Sequence, residues 1–349
     1  MKYRNKKDYL LGKDSTELEE FAIQFGEPAF RGRQLYCWLY TKRAANFSSM
    51  TDLARSFRER LTEDTLISPV KVLTEEYGSD GSCKLLFGLP DGNRVEGVLI
   101  PDNERLTACL SSQVGCAIGC KFCATGKIGF KRNLSASEIV GQFIALETAA
   151  NQRITNVVMM GMGEPLLNRS AVFKAARLIT DPDGLGVSRR RFCISTVGWT
   201  PGILAMCKSN MRFKLTVSLN GTTDEQRNSL MRFTKRFPLL DVLKAAEKYV
   251  HIAKQRVTFT YLLLNGFNDS LEDAHRLIKL VKHIPCKVNL MEYNEIGSEF
   301  HQSDKKQTED FQSVLRSAGL TAIIRTSRGE DIAAACGQLA GGYETNTGK

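Results

Sequence analysis

Three cysteines fall within eight residues in the segment SSQVGCAIGCKFCATG: Cys116, Cys120 and Cys123, a Cys-x3-Cys-x2-Cys set. On a loop, thiolates at this spacing can converge on one polynuclear cluster, for which thiolates are the usual ligands. Three ligands for the four irons of a [4Fe-4S] cubane leave one iron open to chelate a substrate or cofactor. A closed structural zinc site is the alternative, and it needs a fourth ligand. No histidine lies nearby, since the four are His251, His275, His283 and His301. The chain has ten cysteines and no apolar leader in MKYRNKKDYLLGKD. In a reducing compartment this argues against a disulfide scaffold. Cys37, Cys83, Cys193, Cys207 and Cys286 read as core or surface residues.

A framework must hold that loop. Strand-like apolar runs at 154–160, 191–196, 213–219, 256–264, 287–293 and 321–326 alternate with helical segments. Several of those helices carry caps: Ser135 with Glu138, Thr200 before Pro201, and Ser270 with Asp273. Buried strands alternating with helices predict a parallel α/β sheet. Counted from a strand at 106–112, six or seven strands form an incomplete, open (β/α)6 barrel with its chemistry at the strands' carboxyl ends. The division expected is a helical accessory region at 1–66, a small antiparallel β extension at 67–105, the partial barrel at 106–328 and a C-terminal segment at 329–349. Residues beyond about Gly341 are polar, Gly-rich and expected to be disordered.

A net charge of +10 over 349 residues suggests a polyanionic partner. No run approaches the roughly 20 apolar residues that span a bilayer, so a cytoplasmic protein without a membrane partner is expected. Candidate RNA contacts are Lys121, Lys127, Lys131 and Arg132 around the cysteine loop, Arg189 to Arg191, and Arg232, Lys235 and Arg236. Arg31, Arg33, Lys42 and Arg43 in the N-terminal region join them as candidates for recognising RNA shape.

The cysteine spacing and Phe122 match the signature of radical S-adenosylmethionine (SAM) enzymes. FGEPAFRGRQLYCWLY (25–40), NRVEGVLIP (93–101), ACLSSQVGCAIGCKFCATGKIGFKRNL (108–134), MGMGEPLLN (160–168), CISTVG (193–198), VNLMEYN (288–294) and DIAAACGQLAGGY (331–343) are more specific. Together they resemble the RlmN/Cfr family of radical SAM RNA adenosine methyltransferases, over nearly all of residues 20–343. The resemblance implies methylation of carbon 2 of an adenosine in 23S rRNA, with tRNA as a second substrate. It further implies a [4Fe-4S] cluster on Cys116, Cys120 and Cys123, two SAM molecules per turnover, an electron donor of the flavodoxin or ferredoxin type, and a monomer.

By the same resemblance Cys336 is the S-methylcysteine, Glu96 the proton acceptor, and Cys109 the resolving thiol that forms a transient disulfide with Cys336. Gly163, Glu164, Ser195, Ser218, Leu219, Asn220 and Asn294 are the implied SAM contacts. Taken singly, Cys109 reads as an inert buried cysteine and Glu96 as part of a solvated strand face. The chain departs from the family at Asn220, where histidine is common, in LMRFTKRFPL (230–239) and at MEYNE (291–295). Two other readings stay open: a carbon-8 methyltransferase of the Cfr type, which GEPLLN disfavours, and a catalytically silent RNA-binding module with a structural metal site.

Overall fold

The computed structural model describes residues 7–209, 211–231 and 235–342. Arg232 and the tail from residue 343 lie outside the described residues.

β1 (Asp8–Tyr9) is followed by α1 (Ser15–Gln24), α2 (Phe30–Tyr36), which continues into a π turn at Cys37–Thr41, and α3 (Arg55–Asp64). β2 (Thr65–Leu66) returns to pair in parallel with β1. The cap of α1 is a reciprocal pair, Glu17 N–H donating to Asp14 at 3.0 Å and Asp14 N–H to Glu17 at 2.8 Å.

An antiparallel meander follows: β3 (Lys71–Tyr77), β4 (Cys83–Gly88), β5 (Arg94–Asp102) and β6 (Arg105–Cys109). Next come β7 (Gln113–Gly115), α4 (Ala124–Ile128), β8 (Phe130–Asn133) and α5 (Ala136–Ala150). Sequence periodicity had extended one strand across 106–112. The chain instead leaves the sheet after Cys109 and starts the β7–β8 hairpin, which brackets the cysteine loop.

The remaining elements alternate: β9 (Asn156–Met159), α6 (Arg169–Ile179), β10 (Phe192–Thr196), α7 (Thr200–Lys208), β11 (Lys214–Ser218), α8 (Asp224–Leu230), α9 (Leu239–Ala253), β12 (Val257–Leu262), α10 (Leu271–Val281), β13 (Cys286–Met291), α11 (Lys305–Ser317) and β14 (Ala322–Arg325). All main strands join one ten-stranded sheet in the order β14-β13-β12-β11-β10-β9-β6-β5-β4-β3. From β6 to β14 neighbours are parallel, which makes six β/α units and a terminal strand. The extension expected at 67–105 is therefore continuous with the barrel wall through the β5–β6 pairing.

The period-2 pattern explains which face holds the site. Ile194, Leu215, Val217, Phe259, Val288 and Leu290 are buried in the core that the helices cover. Their alternates Ser195, Ser218, Thr260 and Met291 face a cavity on the concave side. Among the described residues no helix is long and apolar enough to cross a membrane.

Candidate active site

The cysteine loop is shaped by backbone contacts. Gly115 ends β7 at φ 71°, and a Cβ there would lie 1.7 Å from the carbonyl oxygen of Gly129. That same carbonyl accepts the Cys116 N–H at 3.1 Å. Cys123 donates to the Cys120 carbonyl at 3.2 Å and caps α4. The start of α4 is tied to a distant segment, with Ala124 N–H on the Gly337 carbonyl at 2.7 Å and the Thr125 hydroxyl on the Leu339 carbonyl at 2.6 Å.

Cys116, Cys120 and Cys123 all line the concave cavity. Burial pushes the Cys116 thiol up to about 12 and holds Cys120 well above the ordinary thiol range. Among the described residues no three His, Cys, Asp or Glu side chains converge as a single metal ion requires. A cubane places a different iron under each sulfur and has no such requirement. Three soft donors around one cavity therefore fit a [4Fe-4S] cluster and not a tetrahedral zinc site.

The strand ends supply the rest of the wall. Gly163, at φ 99°, approaches Gln113 so closely that a Cβ would sit 2.5 Å from the Gln113 Cβ. The Gln113 side-chain oxygen in turn accepts the Glu164 N–H at 2.9 Å. The buried Glu164 carboxylate accepts from Leu166 N–H at 3.1 Å and Val197 N–H at 2.9 Å while still lining the cavity. Ser195 lines it as well. Ser218 also lines it, taking a 3.0 Å bond from the Thr260 hydroxyl.

Asn220 stands in the left-handed region at φ 54° and accepts the Leu262 N–H at 3.1 Å, linking the ends of β11 and β12. Asparagine tolerates that conformation well. Two of the residues expected to contact SAM do not line the cavity with their side chains. The Leu219 side chain is fully buried in the main core. Asn294 lies off the cavity wall with its amide engaged at both ends, donating to the Cys336 carbonyl at 3.0 Å and accepting from the Ser327 hydroxyl at 2.6 Å.

Cys336 reaches the site from far along the chain. It lines the same cavity as the three loop cysteines and is the one exposed cysteine of the ten. Burial among protein atoms raises its thiol, and Arg325 opposes that shift. Cys109 is buried at the end of β6 and is pushed up to about 12, first by burial and then by Cys336 nearby. All ten cysteines are free, so the Cys109–Cys336 disulfide that the resemblance implies is not formed in this structure.

Glu96 is buried, not solvated, and off the cavity wall. Its carboxylate accepts Ala340 N–H at 2.8 Å and Gly341 N–H at 2.9 Å, with Lys84 Nζ at 3.9 Å. It thus anchors the segment that carries Cys336. Lys84 on the Ile332 carbonyl at 2.5 Å and Asp331 on Ser79 N–H at 2.8 Å hold the same segment. Glu96→Ala is expected to speed hydrogen exchange at Ala340 and Gly341 by about tenfold, a loss of about 1.4 kcal/mol of local protection. Cys336 alkylation should accelerate in parallel, and unchanged rates of both would refute the anchoring role.

Residues 110–278 match the Radical SAM superfamily, and residues 9–67 match the ribosomal RNA large subunit methyltransferase N-terminal domain. The probable dual-specificity RNA methyltransferase RlmN of Moorella thermoacetica is 47% identical over 333 residues, covering 93% of this chain and 94% of that protein. The chain belongs to the RlmN family of radical SAM RNA methyltransferases. Its counterpart in Syntrophobacter fumaroxidans is 44% identical over 95% of this chain and 98% of its own. A crystal structure of a radical SAM methyltransferase from Sphaerobacter thermophilus superposes with a TM-score of 0.92 at 37% identity, covering 96% of this chain and 99% of that one. Membership brings the [4Fe-4S] cluster and SAM with it, and the cavity wall suits both.

The RlmN-family fold also reassigns the basic residues. Most cations chosen from sequence are engaged internally. Lys121 pairs with Glu299 at 3.2 Å, Lys127 binds the carbonyls of Ile296 and Gly297, Arg132 bridges Glu138 and Asp91, and Arg43 pairs with Glu147. Arg189 to Arg191 form an exposed turn. One residue went unnoticed in sequence. Arg227, fully buried, donates through Nη2 to the Val197 carbonyl at 2.8 Å, and burial lowers it to about 10. Val197 N–H is the donor to Glu164, so Arg227 orients a peptide that shapes the cavity. Its segment DEQRNSL reads as a solvated helix, and nothing in that pattern signals burial.

Proposed function

We propose that this enzyme methylates carbon 2 of an adenosine in 23S rRNA and in tRNA, through an S-methylcysteine at Cys336. The observation that carries the reading is the Cys336 thiol in one cavity with Cys116, Cys120, Cys123, Glu164 and Ser195. The rRNA-plus-tRNA substrate pair rests on relatives named dual-specificity RNA methyltransferases. The carbon-2 assignment rests on GEPLLN at 163–168.

That carbon lies between two ring nitrogens and is too electron-poor to attack a methyl cation donor, so a carbon radical must come to it. When bound, the cluster and SAM supply a transferable methyl group and a hydrogen-abstracting carbon radical. Cys336 holds the methyl on its sulfur, yields one hydrogen from it, and forms the new carbon–carbon bond to the base. Glu96 takes the proton from the attacked carbon once the Ala340–Gly341 turn releases its carboxylate. Cys109 attacks the Cys336 sulfur and breaks its bond to the methylene carbon, which takes up a proton to become the methyl of the freed base. The adduct's unpaired electron would return to the redox centre that the cluster supplies when bound, and the Cys109–Cys336 disulfide is left for a reductant to reset. One SAM as methyl donor and one as radical source make two per turnover. Digestion of RNA treated with the reconstituted enzyme, followed by nucleoside mass spectrometry, tests this: 2-methyladenosine is expected, and 8-methyladenosine alone would assign the Cfr-type reaction.

Glu164 adds a pH signature. Burial raises its carboxyl to about 7, against the hydrogen bonds from Val197, Thr196 and Leu166. An ammonium group arriving beside it stabilises the ionised form, so SAM binding expels a proton wherever the pH lies below that value. SAM affinity should be flat above about pH 7.5 and weaken up to about tenfold per unit below about pH 7. Calorimetry across that range checks it, and Glu164→Gln should bind SAM weakly with no pH dependence. A wild-type affinity that ignores pH would remove Glu164 from ammonium binding.

A further inference from the structure

The concave face continues below the cavity, and its composition is unusual for a barrel interior. Side chains pairing across parallel strands share a face, so register alone identifies this surface. Ser195 pairs with Thr216, Thr216 with Thr258, and Thr258 with Lys287. The next row up runs Ser218, Thr260 and Asn289, and the row at the strand tops places Leu262 beside Met291 and Met291 beside Arg325. Below them Cys193 pairs with Lys214. A closed α/β barrel fills its interior with layers of branched apolar side chains. This one is lined with hydroxyls, a thiol, an amide and cations.

The cations are unbalanced. Among the described residues Lys287, Lys214, Arg256 and Arg325 make no side-chain hydrogen bond and no ion pair, while Lys121, Lys127, Arg132 and Arg43 all have partners. Lys287 is half-buried on the inner face of β13, and the side-chain oxygen of Asn289 two residues on is buried with no partner. Burial first, then Lys214, Arg325 and Arg256, push the Lys287 ammonium below its usual range. A half-buried ammonium with like-charged neighbours and, among the described residues, no ion pair is stabilised by an anion bound beside it.

We propose that the inner face of β11–β14 is a phosphate-binding track for the backbone of the substrate RNA, with Arg325 at its mouth, Lys287 at its centre and Lys214 and Arg256 at its far end. The proposal rests on the RNA-methylation reading above and extends it by naming the grip. The sheet is open beyond β14, whose inner-face residues Ile323 and Arg325 are exposed, so a strand can enter from that edge. Lys287 lies level with Thr321, four residues below Arg325 in register, about 13 Å at the usual strand rise. That span suits phosphates two nucleotides apart along a chain. A free inorganic anion would satisfy only one end of it. Arg325 also lies close enough to Cys336 to act on its thiol, so a backbone held at the mouth presents its neighbouring base to the reacting sulfur.

The test is the salt dependence of RNA binding by the reconstituted holoenzyme, using an adenosine-containing RNA hairpin as probe. Each phosphate contact on single-stranded RNA contributes roughly 0.7 to the log–log slope. Lys287→Met and Arg325→Gln should each lower the slope by about 0.7, and a Lys214→Gln, Arg256→Gln pair by about 1.4. Affinity at moderate salt should drop several-fold in each. Lys287→Arg, which keeps the charge, should restore the wild-type slope. Removing a strained ammonium should leave the melting temperature of Lys287→Met equal to or above wild type, which separates lost grip from lost fold.

Variants that keep the full slope while the wild type shows a steep one would overturn the track and leave the methylation reading standing. A wild type with no salt-dependent RNA binding would overturn both. If millimolar inorganic phosphate binds in a Lys287-dependent way without displacing RNA, the face is a small-anion site and the track is wrong.

Discussion

A Cys336→Ala variant is expected to transfer no methyl group to RNA, a loss of more than about a thousandfold, because in the proposed route the atom that bonds to the base is carried on that sulfur. The thiol opens on the cavity and makes no side-chain hydrogen bond, so its removal leaves the fold and the strand-end wall in place. SAM binding should therefore persist. Cys109→Ala should behave differently. Without the second thiol the product cannot leave the Cys336 sulfur, and a covalent protein–RNA species that survives denaturing electrophoresis should accumulate. The double variant should show none, since Cys336 forms the tether. Methylation surviving in Cys336→Ala would mean that the methyl passes directly from SAM, and the S-methylcysteine route would be abandoned.

Gly115→Ala should abolish cluster loading. An added Cβ would stand 1.7 Å from the Gly129 carbonyl oxygen, and both neighbours are backbone that cannot swing aside. The backbone at φ 71° is itself unfavourable for alanine by about 1–2 kcal/mol. Strain and clash together should exceed about 3 kcal/mol and break the pairing that closes the hairpin, where Cys116 donates to that same carbonyl. Purified protein should hold almost no iron or sulfide after anaerobic reconstitution. Gly186→Ala is the matched control, with φ 75° and nothing within 4 Å of the added carbon. It should lose about 1 kcal/mol of stability and load its cluster normally. Normal iron content in Gly115→Ala would show that the hairpin does not shape the cysteine loop.

What was readable in the sequence follows from what each signal reports. The cysteine set, the caps at Ser135 and Ser270 and the alternation of strands and helices are local patterns, and the fold reproduces them, whereas Thr200 lies inside its helix behind an N-cap at Trp199 that makes no side-chain bond. The capping box at Ser135 formed as read, because three residues suffice to specify it. The β7–β8 hairpin was invisible because its strands are short and its pairing depends on Gly115 meeting Gly129. Glu96 alternates with Arg94 and Val98, which suggested a solvated face, yet the Ala340–Gly341 turn covers it. Periodicity cannot report a cover that lies 244 residues away.

The basic residues failed for the same reason. Sequence favours clusters such as KIGFKR, whereas the cations at 214, 256, 287 and 325, unpartnered among the described residues, are single letters on or just before separate strands, aligned only by the sheet. Arg227 is missed because burial of a guanidinium leaves no trace in helical spacing.

The link between the start of α4 and the carbonyls of Gly337 and Leu339 sets an order of events during synthesis. The second half of the cysteine loop completes its backbone bonding only with residues more than 200 positions downstream. Nascent chains paused after the barrel strands would present the three thiols on an unfinished turn. Maturation of the cofactor site is thus confined to the interval after the ribosome has released those residues, and contacts of such long range make that closure a late, slow step in folding.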